Sequence, residues 1–385
     1  MNSRPHPAAP ACHHCGSADL RIAVGYVQAG RITSDCKPWP AGGVLALCQT
    51  CGLVQTIADP PWQQQSDQIY RGYTIYHQSG GVEQPTFHPV SGAGQARSDA
   101  IIQALLAHVP VPAPGRWLDI GCGNGAMLRA CRRALPGWAL CGSEVNEKYR
   151  ALIEDIPGVE GLFTGALENI PGAFDVISLI HVIEHIPGPK MFLRALAGLL
   201  KPGGLLLIEV PDCRQNFFSL MTADHCSHFS TGLLAQVVAS AGYDLLHAVD
   251  QWVSKEITVV ARPAPGAPGA NLPAPIHESE EVFAGWRRLQ QILGQVEALG
   301  RAGPFGIFGT SIAATWLDAQ TRHGAQFFVD EDPHRLGRSH LGRPVLPPAA
   351  IPDGSTVYVA LPPAIASGVA DRLRGINASI NFVIP

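Results

Sequence analysis

Lysine is scarce in this chain of 385 residues: five of its 27 basic side chains are lysine, and 31 acids leave a net charge of −4. Adjacent basic pairs occur only at Arg132-Arg133 and Arg287-Arg288. No basic stripe is present to track a phosphate backbone, so nucleic acid is not an expected partner. Long apolar runs are missing as well. No segment approaches the roughly 18 residues a membrane span needs, and the opening MNSRPHPAAPACHHCGS lacks the apolar stretch of a secretion signal. A cytoplasmic protein without a membrane partner is expected. Charged residues are only 15% of the chain against 46% hydrophobic, which excludes a disordered tail and implies a large buried core. At about 100 to 200 residues per domain, the length suits two or three domains.

Cysteine, by contrast, is plentiful, and ten thiols would be an odd disulfide set for a reducing compartment. Cys122, Cys131, Cys141, Cys213 and Cys226 are scattered through apolar or loop positions and read as small buried thiols. Four others form two Cys-x-x-Cys pairs, Cys12/Cys15 and Cys48/Cys51, with thirty-two residues between the pairs. Four thiolates so spaced match tetrahedral Zn2+ in a closed, structural ribbon. His13 and His14 inside the first pair are competing ligands, and Cys36 is a bystander.

A pass along the chain divides it into three units. Residues 1–80 hold the zinc ribbon and a segment rich in tyrosine, YRGYTIYHQSGG. Residues 89–261 alternate apolar strands (RWLDI, WALCGS, VEGLF, FDVISLI, GLLLIEV, YDLLHAV, EITVVA) with stretches of helical spacing. Strand and helix in strict succession predict an α/β fold, a mostly parallel sheet covered on both faces. The Pro-, Ala- and Gly-rich residues 262–276 read as a linker. Residues 277–385 give a long helix, Glu278 to Leu299, and then a second, smaller α/β domain.

WLDIGCGNG, residues 117–125, carries the chemistry. A strand running into Gly121, Gly123 and Gly125 and opening a helix lays bare backbone against a ligand. A nicotinamide dinucleotide would want G-x-G-x-x-G with helix amides facing its pyrophosphate. Here the spacing is G-x-G-x-G, and Asp119 just before it would repel a pyrophosphate. A carboxylate suits a ligand with an amino cation and a sulfonium, and Glu144 at the end of the next strand is placed to accept two ribose hydroxyls. That ligand is S-adenosylmethionine.

The D-x-G-x-G-x-G loop, the acid ending the second strand, FDVISLIHVIEH and LLKPGGLLLIEVP together resemble class I S-adenosylmethionine-dependent methyltransferases over residues 95–261. That resemblance implies a Rossmann-like sheet. It places Asp119, Gly121, Cys122, Gly123, Gly125 and Glu144 at the cofactor, Leu167 beside the adenine, and His181 facing the methyl donor, with Glu184 and His185 one helical turn on. The order of zinc ribbon, tyrosine-rich segment, methyltransferase and small Rossmann-like α/β domain is similar to the three-domain sugar C-methyltransferases. Those enzymes act on a nucleotide-linked 4-keto sugar: a base removes the proton beside the ketone and the enolate takes the methyl group. Carried over, His225 is the base, with Asp224, Tyr76 and His181 around the sugar. Where the family's loop tends to read Tyr-x-Glu-His, this chain has Thr222, Ala223, Asp224 and His225.

From the residues alone, Asp224 beside His225 reads as an orienting pair for a general base. His228 and Phe229 read as packing, and Ser230 as the cap of the next helix. In the last domain GIFGTSIAATWL lacks the expected lysine, yet Gly306 and Gly309 can approach a nucleotide or sugar phosphate. Other readings stay open: an O- or N-methyltransferase on another small metabolite, a ribbon-bearing RNA methyltransferase, and a non-catalytic scaffold that keeps its ligand pockets.

Overall fold

The computed structural model describes residues 10–83, 85–87, 94–264, 272–299, 303–322 and 324–385. The expected start of the central unit at residue 89 and residues 265–271 of the expected linker lie outside the described residues.

In the central unit all seven expected strands form one sheet, ordered 159–164, 139–144, 116–120, 174–180, 200–211, 256–263, 243–249. The first five run parallel, and 256–263 is inserted antiparallel between its neighbours. Alternation along the strands explains why the sheet is buried on both faces. Leu206, Ile208 and Val210 join one core with Leu118, Ile177 and Leu179, while Leu205 and Leu207 join another with Trp117, Val176 and Val260. Helices cover these faces, among them Arg97–His108 before the strand 116–120 and Ala126–Ala134, Pro189–Ala197 and Thr231–Ser240 between strands. Ser230 caps the last, its side chain accepting from Leu233 N. The stretch EKYRALIED, expected to be one helix, is helical only over Arg150–Glu154.

The C-terminal unit begins with the helix Ile276–Leu299 and continues into a sheet ordered 339–340, 343–346, 327–329, 305–308, 356–359, 381–383. Its inner strands are parallel.

Two glycine-ended knuckles build the N-terminal unit. Gly16 and Gly52, each following the second cysteine of its pair, take φ of 78° and 81° and return their amides to Cys12 O and Cys48 O at 2.8 and 2.9 Å. A sheet of Leu20–Ile22, Leu45–Cys48 and Val54–Thr56 follows, and its outer strand, Ser227–His228, comes from the central unit. The helix Pro60–Gly72 is capped by the Asp59 side chain accepting from Trp62 N. A single core joins Leu45 and Val54 of this unit, Phe217 to Leu220 of the central unit, and Trp286, Phe305 and Trp316 of the C-terminal unit. Among the described residues no helix is long and apolar enough to cross a membrane.

Candidate active site and metal centre

Gly121, Gly123 and Gly125 have φ of 67°, 55° and 86°, the left-handed region that glycine enters without strain. Space is short as well: a Cβ would lie 2.5 Å from Val182 Cγ2 at Gly121 and 2.6 Å from Ile75 Cδ1 at Gly123. The next strand fastens the loop. Ser143 O accepts from the amides of Gly121 and Cys122 at 2.8 and 3.1 Å, and the Glu144 carboxylate accepts from Gly123 N and Val145 N at 2.8 Å each. Asp119 is 2% exposed and accepts from Ser178 Oγ at 2.6 Å. Burial drives its pKa up to about 7, against the Ser178 bond and with repulsion from Glu144 adding to it. A cationic ligand would offset that penalty, so the residues present fit an adenosyl sulfonium donor.

Asp119, Gly121, Cys122, Gly123 and Glu144 line one cavity of about 370 Å³, whose walls also include Tyr76, His181 and His225. Gly125 and Leu167 do not. Gly125 precedes the helix Ala126–Ala134 and faces Ile156. Leu167 begins a short 3-10 turn and, partly buried, packs against the core that holds Leu118 and Ile177.

In the middle of the cavity one guanidinium joins two of the expected residues. Arg97 Nη1 lies 2.8 Å from His181 Nε2, and Nη2 donates to Tyr76 Oη at 3.1 Å. Behind it stand carboxylates that the sequence reading did not single out: Glu209, fully buried, 3.7 Å from Arg97 Nε, and Glu256, 3.8 Å from Nη1 and 3.2 Å from His181 Nε2. Burial and Arg97 oppose protonation of His181, but Glu256 and Glu184 favour it more and place its pKa at about 9. The 2.8 Å approach of Arg97 is attractive only while Nε2 keeps its lone pair, so arginine and carboxylates compete for one nitrogen. Glu209 is pushed up to about 8 by burial and by repulsion from Glu256.

The Asp224-His225 pair does not form as expected. Asp224 is fully buried and faces the N-terminal unit, accepting from Ser34 N at 2.9 Å and from the Ser34 hydroxyl. Its histidine is His185, whose Nδ1 lies 2.9 Å from Asp224 O and 3.4 Å from Oδ2. His225 turns the other way, into the cavity, and meets the His185 ring edge-on at 4.5 Å between centroids. Burial, reinforced by His185 and His228, holds the His225 pKa well below its ordinary value. Thr222 and His228, both buried, lie outside the cavity wall.

The far end of the cavity belongs to the C-terminal unit: Ser311, Ile312 and Ala313 at the start of the helix Ile312–Gln320, and Arg335. There it adjoins a second cavity of about 320 Å³, lined by Lys37, His77, Arg335, Arg338 and His340.

In the N-terminal unit the four expected metal ligands converge. Cys12 Sγ and Cys51 Sγ are 3.6 Å apart, as are Cys15 Sγ and Cys48 Sγ, and all four sulfurs lie within 4.8 Å of one another. Zinc–sulfur bonds of about 2.3 Å at tetrahedral angles would set sulfurs about 3.8 Å apart, so the cluster fits the ion. The Cys12 thiol is pulled down to about 5, chiefly by its hydrogen bond with Cys51. His13 and His14 contribute no atom to the cluster.

Residues 94–248 match the family model described as a methyltransferase domain. The ubiquinone biosynthesis O-methyltransferase of Caulobacter vibrioides is 35% identical over 99 residues, 24% of this chain and 38% of that protein. Its namesake from Parvibaculum lavamentivorans is 30% identical over 155 residues, 36% of this chain and 60% of that one. The chain therefore spans less than two thirds of the length of either relative. Among solved structures, an S-adenosylmethionine-dependent methyltransferase from Clostridium acetobutylicum is 13% identical, covering 53% of this chain and 98% of its own, with a TM-score of 0.37. The strand order, the glycine loop between Asp119 and Glu144 and the family match agree: the central part of this chain is a class I S-adenosylmethionine-dependent methyltransferase domain.

Proposed function

We propose that the chain is a methyltransferase for a small nucleotide-linked keto sugar, with carbon as the acceptor and zinc as a structural ion of the ribbon. One observation carries this reading: the carboxylate-and-glycine end of the main cavity and the basic recess around Arg335 and Arg338 adjoin, with His181, Tyr76 and His225 between them. S-adenosylmethionine, held by Asp119, Glu144 and the glycine backbone, would supply an electrophilic methyl group. A nucleotide diphosphate suits Arg338, with Lys37 and Arg335 beside it already paired to Asp35 and to Asp330 and Asp332, which leaves the sugar beside the histidines.

There His225 accepts the proton from the carbon next to the ketone, and the electron pair left behind delocalises onto the ketone oxygen. Its lowered pKa keeps it unprotonated, and so able to accept, at neutral pH. Tyr76 Oη already accepts from Arg97, so its own proton is free to be donated to that oxygen. Transfer to oxygen is the second reading, supported by the names of the relatives.

Mass spectrometry of the full chain incubated with labelled S-adenosylmethionine and a panel of nucleotide-linked keto sugars tests both. Label on carbon is expected. Label on a hydroxyl selects the second reading, and no labelled product from any member of the panel refutes the nucleotide-sugar substrate.

A further inference from the structure

The loop after the strand 200–211 carries His225, and its hydrogen bonds go largely to the N-terminal unit. Ala223 N donates to Ile32 O at 2.7 Å and Ala223 O accepts from Trp62 Nε1 at 2.9 Å. Asp224 is held by Ser34, and Cys226 O accepts from Thr56 N at 3.1 Å. Ser227 and His228 pair as a strand with Gln55 and Val54, and His228 Nε2 meets Thr56 Oγ1 at 3.1 Å. From the central unit the same stretch receives the Glu184 carbonyl at Cys226 N, 2.8 Å, and the His185 ring at Asp224 O.

Both cysteine knuckles feed these contacts. His13, between Cys12 and Cys15, meets Ser227 Oγ through Nε2 at 2.9 Å and donates its backbone N–H to Gln55 Oε1 at 3.0 Å. The strand Val54–Thr56 leaves the second knuckle directly after Cys51 and Gly52. The donor site is fastened mainly within the central sheet, Asp119 by Ser178 and the glycine loop by Ser143 and Glu144; its bond to the tyrosine-rich stretch, Asn124 Nδ2 to Gly81 O at 2.7 Å, reaches a segment that carries no cysteine ligand.

We propose that the cysteine-bound metal ribbon is the mould of the His225 loop, so that metal occupancy governs the placement of His225 and leaves donor binding untouched. Residues His13, Gln55 and Thr56 are then positioning residues, acting on His225 through the strand they grip. The functional consequence rests on His225 serving methyl transfer as read above; the structural coupling does not.

Hydrogen exchange followed by mass spectrometry on the full chain tests it. The metal is withdrawn by a chelator, or kept out by Cys48→Ser, and metal content is read by elemental analysis. Amide protection over residues 223–228 is expected to fall by about 100-fold or more, with less than about threefold change over the strands 116–120 and 139–144. S-adenosylhomocysteine affinity by calorimetry should stay within about twofold. His13→Ala, which removes no ligand, should keep the metal and lose about tenfold of the protection at Ser227. A metal-free chain whose 223–228 amides exchange as slowly as before overturns the proposal, and so does loss of protection spread equally through the donor strands. Should Cys48→Ser fail to fold, the chelated wild type and His13→Ala decide. If no acceptor in the sugar panel is methylated, the substrate reading falls while the exchange result still stands or fails by itself.

Discussion

Replacing Arg97 by Met should destabilise the central sheet by an amount that depends steeply on pH. Arg97 is the cation held against Glu209 and Glu256. With it in place, burial has already pushed Glu209 up to about 8, so at pH 7 that carboxyl is largely protonated. Glu256 is held below its ordinary value, because His181 and Arg97 together overcome the burial that works against its charge. Take the guanidinium away and Glu256 keeps only His181 and the nearby Lys255 as cationic partners. Keeping it ionised there costs at most the roughly 3 to 5 kcal/mol of a fully broken buried pair. Protonating it is the cheaper route at lower pH: for a carboxyl whose ordinary pKa is 4.5, the cost is about 1.36 kcal/mol for each pH unit above that value.

That sets a ceiling of about 3.4 kcal/mol at pH 7 and about 0.7 kcal/mol at pH 5. The sign follows from a folded-state pKa raised above the unfolded one. The penalty is absent below the unfolded pKa, grows as pH rises, and levels off at the folded value. Hydrogen exchange of the strand 174–180 in wild type and Arg97→Met at pH 5 and pH 7 reads the central sheet alone. Arg97→Lys, which keeps a cation, should flatten the pH dependence. An Arg97→Met penalty of equal size at both pH values would refute the reasoning, since it would mean lost packing and not an unpaired charge.

Asp119, with a pKa of about 7, must give up its proton to meet a cationic donor. S-adenosylmethionine should therefore bind about tenfold more weakly at pH 6 than at pH 8 in calorimetry, and Asp119→Asn should abolish the slope. Gly123→Ala places a side chain at φ 55°, which costs about 1 to 2 kcal/mol. Because Ile75 Cδ1 can turn aside, the backbone sets that cost, and a thermal shift upward would contradict it. His225→Gln should lower methyl transfer by about 100-fold or more while donor affinity stays within about twofold; equal losses in both would make His225 structural.

Most of the central fold was legible because its signals are local. Strand runs such as GLLLIEV and FDVISLI are apolar on both faces, as a covered parallel sheet demands, and the glycine loop announces itself by residue type. The paired cysteines were legible for the same reason. The Asp224-His225 pairing failed because residues 222–225 form a turn, closed by His225 N donating to Thr222 O at 3.2 Å, that sends the two side chains apart: one faces Ser34, the other the cavity. Arg97 and Glu209 left faint marks that were not used. A basic residue opening a helix, as Arg97 does at Arg97–His108, opposes the helix dipole and asks for an acidic partner. A lone carboxylate inside the apolar run LLLIEV, paired with Ile180 just before His181, asks for a cation. The two-residue strand Ser227–His228 left no mark, since its partner lies far away in the sequence and two residues carry no period.

The same long-range contacts explain why three units make one site. Buried aromatic heads need a hydrogen-bond partner, and three of them take it from a neighbouring unit. Tyr26 Oη donates to Leu220 O at 2.5 Å, Trp286 Nε1 to Val24 O at 2.9 Å, and Trp316 Nε1 to Gly30 O at 2.9 Å. Sliding one unit against another would strand these donors and open the core they share. The cavity walls therefore keep a fixed spacing between the carboxylates at one end and the arginines at the other. On the nucleotide-sugar reading proposed above, the distance between those charges would select the length of the acceptor, and the seating of the His225 loop would select the reacting atom.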